Sequence, residues 1–258
     1  MRFQDIVRTV IYTAITFIAT AILVVETPAT GGYFNLGEAS IYVIASISNP
    51  IVAAIASGLG PAIADIVLGY GYFAPATFAI KFCEGFIVSK LISKVRATSK
   101  GRIINVAVVI LGVILALAIA LPIAFYRGEE HLSIELGWIH VSGTPMSVPY
   151  LYLALPSYIW IVIAIAVIVM SIAVTCIARL KPYVLPMILG GMVMVLGYFL
   201  YEYFVSNPLI LGKEPIAALA EVPINIGQFS AGVVIAYPVV QFIERAKGVR
   251  GKGSEGRG

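Results

Sequence analysis

Six ionisable side chains stand inside apolar runs of this sequence: Glu38, Asp65, Lys81, Glu84, Glu202 and Glu221. A charged group in a membrane-spanning helix costs ~2.5–3.5 kcal/mol at the helix centre, so each is a candidate for ligand contact, proton relay or pairing with another. Spacing sorts them. Thr77, Lys81 and Glu84 fall at i, i+4 and i+7 on one helix face, and Glu221, Asn225 and Gln228 repeat that spacing. Tyr198, Tyr201 and Glu202 share a third face. Three polar stripes at one depth imply a polar cavity, where carboxylates, amides and an ammonium hold a small molecule by charge and hydrogen bonds. With Asn35, Glu38 and Tyr72 from neighbouring loops and helix ends, the candidate ligand-contacting set is Asn35, Glu38, Tyr72, Lys81, Glu84, Tyr201, Glu202, Glu221, Asn225 and Gln228.

The alternatives are specific. Lys81 could pair with Asp65 or Glu84 across helix contacts, and Glu38 could cap its own helix, whose N-terminal amides favour a carboxylate. Tyr33, Phe34, Tyr70, Tyr72 and Phe73 could form an interfacial belt. Asp65, Lys81 and Glu84 could serve as the relay of a stand-alone proton-coupled secondary transporter of a small polar solute. Catalysis finds no constellation. His131 and His140 lack further metal ligands at a useful spacing, and neither H-E-x-x-H nor G-x-S-x-G occurs. Zinc at those two histidines is the one route to an enzyme, and the reading is that the chain is not one, has no cofactor and holds no metal.

The elements that must position these groups are membrane helices. Of 258 residues 60% are hydrophobic and 12% charged, against about 25% charged in a soluble domain. The net charge of +4 therefore speaks for loop placement and against nucleic acid. Crossing ~30 Å of hydrocarbon takes about 20 residues. Ile6–Val25, Ile103–Phe125, Ser157–Ala178, Tyr183–Val205 and Ala217–Phe242 qualify, while Leu36–Ser48, Pro50–Leu68 and Pro75–Ile92 are shorter or broken, which makes eight spans. Ile6–Val25 reads as a first spanning helix, with Glu26 at its outer end, and not as a cleavable leader.

Basic residues gather in cytoplasmic loops. With both termini inside, all of the 17 lysines and arginines are cytoplasmic except Arg127, Lys213 and the intramembrane Lys81. The ionisable groups then lie in the outer half. The long external segment Tyr126–Leu155 alternates in "HLSIELGWIHVSG", which predicts a small hairpin. Cys83 and Cys176 sit at different depths, too far apart for a disulfide. The Gly-rich basic segment 245–258 reads as a disordered cytosolic tail, and 1–244 as one transmembrane domain.

Four stretches carry a resemblance: "PATGGYFNLGEASIYVIA", "GPAIADIVLGYGYFAPATFAIKFCEGF", "VLGYFLYEYF" and "EVPINIGQFSAGVVI". In order along Pro28–Ile92 and Val184–Phe242, the chain resembles the membrane substrate-binding S component of energy-coupling factor (ECF) vitamin transporters. The similarity is to the branch of riboflavin-, hydroxymethylpyrimidine- or pyridoxine-type proteins. That resemblance implies an all-α, six-helix S component in the cell membrane that captures a vitamin or precursor from outside. It implies a gate in the loop after the first helix, and docking onto an ECF T component with two cytosolic ATPase subunits. Asn35 and Glu38 would then stand where the lid meets the cavity. Residues 103–178 depart from the pattern as an inserted helix pair, with 126–155 outside. The A-x-x-x-A spacing by which many S components meet the T component is missing from the first helix, where Thr9/Thr13 and Thr16/Thr20 are the nearest small-residue pairs.

Pro223 removes a backbone donor near the start of the last helix and biases Val222 away from helical geometry, which predicts irregular chain around Glu221.

Overall fold

The computed structural model describes residues 2–27, 30–97, 101–125, 131–136, 139–141, 151–176 and 183–255. Pro28 and the loop residues Lys100, Arg127, Arg179 and Lys181 lie outside them. Among the described residues eight α-helices dominate: α1 Phe3–Ala21, α2 Gly37–Ile47, α3 Pro50–Leu68, α4 Ala74–Ala97, α5 Gly101–Phe125, α6 Ser157–Cys176, α7 Val184–Tyr201 and α8 Glu221–Glu255. Short strands β1 Leu23–Thr27, β2 Gly32–Phe34, β3 His131–Leu136, β4 Ile139–Val141 and β5 Leu151–Pro156 lie in the connections. By length and composition, three helices among the described residues, Pro50–Leu68, Val184–Leu211 and Pro215–Ala246, are long and apolar enough to cross a membrane.

The polarity of α1 is inverted relative to a helix in water. Its interior face is polar, with Asp5, Thr9, Thr16 and Thr20 buried, and Ile6, Val10, Ile11, Ile15 and Ile18 point outward. Outward Ile and Val suit a lipid solvent, whereas the buried threonines satisfy themselves on backbone. Thr16 Oγ1 donates to the Ala56 carbonyl of α3 at 2.8 Å. The contact is close because α3 presents Gly60, where a Cβ would come within 1.9 Å of Thr16 Oγ1 and 2.8 Å of the Thr13 carbonyl. The Thr16/Thr20 pair, expected as a possible docking face, is therefore spent inside this chain.

Local signals explain the ends of α3. Asn49 precedes Pro50, and its side chain accepts from the Val52 N–H at 3.0 Å, an N-cap followed by proline at the first helical position. Gly69, at φ 92°, ends the helix in the left-handed conformation, and the Tyr70 N–H returns to the Asp65 carbonyl at 2.7 Å. This cap holds Asp65 in the last turn. The core between α2, α4, α7 and α8 is built from Ile41, Tyr42, Val88, Ile92, Met187, Met194, Val195 and Leu219.

The structure departs from the sequence expectations in three connections and at the C-terminal end of α8. α1 stops at Ala21, and Leu23–Thr27 is extended, because β1 pairs antiparallel with β2, Glu26 opposite Tyr33. The loop after α1 is thus a β-hairpin in a mainly helical protein. The outer segment is not a hairpin of neighbouring strands: β3 pairs with β5, Leu132 opposite Leu155, and β4 instead adds to β1, Val24 opposite His140. α7 runs on as a π-helical stretch, Glu202–Leu211, containing Pro208, and a 3₁₀ turn Pro215–Ala220 precedes α8. The irregularity foreseen at Glu221 lies just before it, because Pro223 falls in the first turn of α8, where its missing N–H has no intrahelical partner to lose. α8 continues to Glu255, through the segment expected as a disordered tail.

Candidate ligand-binding site

At the end of the bundle that carries β1 and β2, a cavity is lined by Asn35, Lys81, Glu202, Glu221, Asn225 and Gln228 of the expected set. Asp65, Thr77 and Tyr198, also marked by spacing or charge, complete the wall with Thr20, Tyr33, Pro61 and Phe73.

The floor is an ionic cluster. Lys81 of α4 is ion-paired to Glu38 of α2 and lies 3.4 Å from Glu84 Oε2. The Tyr42 hydroxyl donates to Glu84 Oε1 at 3.0 Å, and Gln228 Nε2 donates to Glu38 Oε1 at 3.2 Å. Glu38 is 0% exposed, and α2 has no side-chain cap, so the capping role expected for Glu38 is replaced by the ion pair. The reason is geometric: Glu38 sits in the first turn on the face turned to α4 and α8, and Gly232 of α8 leaves room, since a Cβ there would come within 2.5 Å of the Glu38 Cβ. Lys81 Nζ also stands 5.5 Å from the centroid of the Tyr198 ring. Glu38 and Glu84 thus support the cavity through Lys81 and lie below its lining.

Asp65 is not in this cluster. Its Oδ1 accepts from the Tyr33 hydroxyl at 2.5 Å, so the Lys81–Asp65 pair is replaced by a bond to the lid strand β2. A relay from Asp65 through Lys81 to Glu84 is therefore not laid out as one bonded chain.

The roof is the β1–β2 hairpin and its turn. The Thr30 hydroxyl donates to Glu221 Oε2 at 2.5 Å, and the Asn35 N–H donates to Gln228 Oε1 at 2.9 Å. Asn35 Oδ1 accepts from the Gly37 N–H at 2.9 Å, which fixes the join between lid and α2. The Tyr72 hydroxyl donates to the Gly31 carbonyl at 2.7 Å, and Tyr201 donates in turn to the Tyr72 carbonyl. Burial, with the charges of nearby acidic groups, pushes the Tyr72 hydroxyl up to about 12, so it remains a donor at neutral pH. Burial and the adjacent Asp65 likewise hold the Tyr33 hydroxyl above its usual range. Tyr72 and Tyr201 therefore hold the hairpin turn and are not among the lining residues of the cavity.

The aromatic residues are more than an interfacial belt. Tyr33 stacks on Tyr70 at 4.6 Å between centroids, and Phe73 lies 5.6 Å from Tyr201 and 6.4 Å from Tyr198. Thr20, Tyr33, Pro61 and Phe73 were not in the expected site. For Thr20 the signal was the threonine series at helical spacing, read as a docking face; for Tyr33 and Phe73 it was their place beside the lid. The free volume between these groups is about 30 Å³, room for roughly two waters, and the cavity is partly open to its surroundings.

Residues 1–138 match the family model described as ECF-type riboflavin transporter, S component. A protein of Pyrococcus woesei named "Uncharacterized protein in gap 3'region" is 38% identical over 71 residues, which are 28% of this chain and 47% of that protein. The chain thus spans about half the length of that curated relative.

Proposed function

The chain belongs to the ECF-type riboflavin transporter S-component family, and from that premise we propose that it captures a small water-soluble vitamin or precursor from outside and hands it to an ATP-driven ECF complex. The observation that carries the reading is the direct bonding of lid to cavity wall: Thr30 to Glu221, Tyr33 to Asp65, and the Asn35 backbone to Gln228. The same wall groups can hold either the lid or a ligand, so ligand arrival and lid position are coupled. In this reading the chain crosses the cell membrane eight times with both termini in the cytoplasm, the hairpin faces outward, and α5 and α6 are an insertion into a six-helix core.

The roles divide by chemistry. Asn225 and Gln228 offer amide donors and acceptors on one face of α8, Lys81 offers an ammonium, and Tyr198 and Phe73 offer ring faces. A T component and two cytosolic ATPase subunits supply the energy. Co-expression with those subunits, purification and uptake assays in vesicles test this. Co-purification and ATP-dependent uptake are expected. Failure to associate, together with uptake driven by a pH gradient alone, would replace the reading with a proton-coupled carrier.

A further inference from the structure

Acidic side chains outnumber basic ones around the cavity. Asp65, Glu202 and Glu221 line it and Lys81 is the base that faces them, yet Lys81 is already engaged by Glu38 and Glu84 beneath. The lid hydroxyls of Tyr33 and Thr30 satisfy one oxygen each of Asp65 and Glu221. Glu202 Oε2 is buried with no hydrogen-bond partner in a residue only 1% exposed, and Asp65 Oδ2, in a residue 2% exposed, has no hydrogen bond of normal geometry, the Thr77 hydroxyl being the donor beside it. Acceptors left in that condition are destabilising, and more so when ionised. A ligand that brings N–H donors and positive charge relieves both deficits, whereas an anion would be repelled and a ring rich in acceptors would leave the carboxylates unmet. The remaining lining suits such a cation, because Tyr33, Phe73 and Tyr198 bring three aromatic rings to the same volume, and the Tyr198 ring already has the Lys81 ammonium 5.5 Å from its centroid.

We propose that the site selects a flat nitrogen heterocycle that carries a positive charge and N–H donors, with Asp65 and Glu202 as the residues that set this preference. The inference rests on the vitamin-capture reading above and narrows it away from neutral rings such as the isoalloxazine of riboflavin. Asp65, fixed by the αL cap of α3, and Glu202, at the junction of α7 with its π-helical extension, approach the cavity from separate elements. The bound cation then meets two carboxylates from separate elements, one of which, Asp65, also holds the hairpin through Tyr33.

Calorimetric titration of the full chain in detergent with thiamine, a cation whose flat thiazolium and flat aminopyrimidine rings are joined by a methylene, and with neutral riboflavin tests this. Thiamine is expected to bind at least about tenfold more tightly. D65N and E202Q, which keep the side-chain shape, are each expected to lower thiamine affinity about tenfold or more, as for loss of a hydrogen bond to a charged group, and to lower it further than riboflavin affinity. Tighter binding of riboflavin, or equal losses for both probes in the two variants, would overturn the charge preference and leave vitamin capture standing. If neither probe binds a chain that still assembles with the T and ATPase subunits, the preference is also overturned. If neither binds and assembly fails too, vitamin capture itself falls. Should the variants not fold, the thiamine-to-riboflavin ratio of the unmodified chain decides.

Discussion

The Lys81 ammonium is ion-paired to Glu38 across two helices, α4 and α2, with both side chains buried. Glu84, one turn along α4, lies 3.4 Å away on the same ammonium. Removing one member of a buried ionic pair costs about 3–5 kcal/mol, because the remaining charge is stranded. K81M is therefore expected to lower the thermal midpoint of the detergent-solubilised protein sharply. K81M combined with E38Q should recover part of the loss. Additive losses in the double variant would show that the two residues are not energetically coupled.

Asn225 and Gln228 separate ligand contact from lid contact. Asn225 lines the cavity, whereas Gln228 also receives the Asn35 N–H and donates to Glu38. Loss of a buried hydrogen bond that strands its partner costs about 1–3 kcal/mol, so N225A and Q228A should each weaken ligand binding about five- to a hundredfold. Q228A should in addition speed dissociation, since the lid loses an anchor. I226A is the control, because Ile226 faces an apolar groove beside α5 and α6 with Leu115, Ile163 and Phe229. An effect of I226A as large as that of N225A, in titration and stopped-flow measurements, would move the site off this face of α8.

Gly31 is required by backbone and by space. It has φ 72°, and a Cβ there would meet the Tyr72 hydroxyl at 2.7 Å. Left-handed geometry costs an L-residue about 1–2 kcal/mol, so G31A is expected to loosen the closed lid and raise the ligand dissociation rate by about five- to thirtyfold. Y72F, which deletes the clasp without straining the turn, should act in the same direction but less. Unchanged dissociation in both variants would detach the lid from ligand retention.

The α1–α3 contact is a stability device and should behave as one. G60L would force a side chain against Thr16 and the Thr13 carbonyl, and overpacking of this kind costs about 1–3 kcal/mol or more. A lowered melting temperature is expected, with ligand affinity reduced only through the folded fraction. A variant as stable as the parent would mean that the two helices do not pack this closely.

Much of the site was legible because polar residues in an apolar chain are conspicuous. The stripes Thr77–Lys81–Glu84 and Glu221–Asn225–Gln228 need only helical periodicity to be placed on one face, and both turn inward. Pairing partners were not legible. Nothing in the local sequence of Lys81 distinguishes Asp65, which the lid takes through Tyr33, from Glu38, brought across by the packing of α2 on α4 and α8. The strands were misassigned for a related reason. Alternation in "HLSIELGWIHV" marks extended chain, but hydrogen bonding between strands distant in sequence chose β5 for β3 and β1 for β4. The threonines of α1 show the same limit, since spacing reveals a small-residue face without revealing which helix it meets.

The addition of β4 to β1 has a consequence beyond topology. A two-stranded hairpin standing over a pocket offers unpaired amide and carbonyl groups on both flanks, and such open edges recruit strands from other molecules. Here the order is β2–β1–β4, so β1, the longer strand of the lid, has partners on both sides. The edges that remain, β2 and β4, are only three residues long each. β4 thus covers the flank of β1 that β2 leaves free, so β1 is not presented as a template for strands of another molecule.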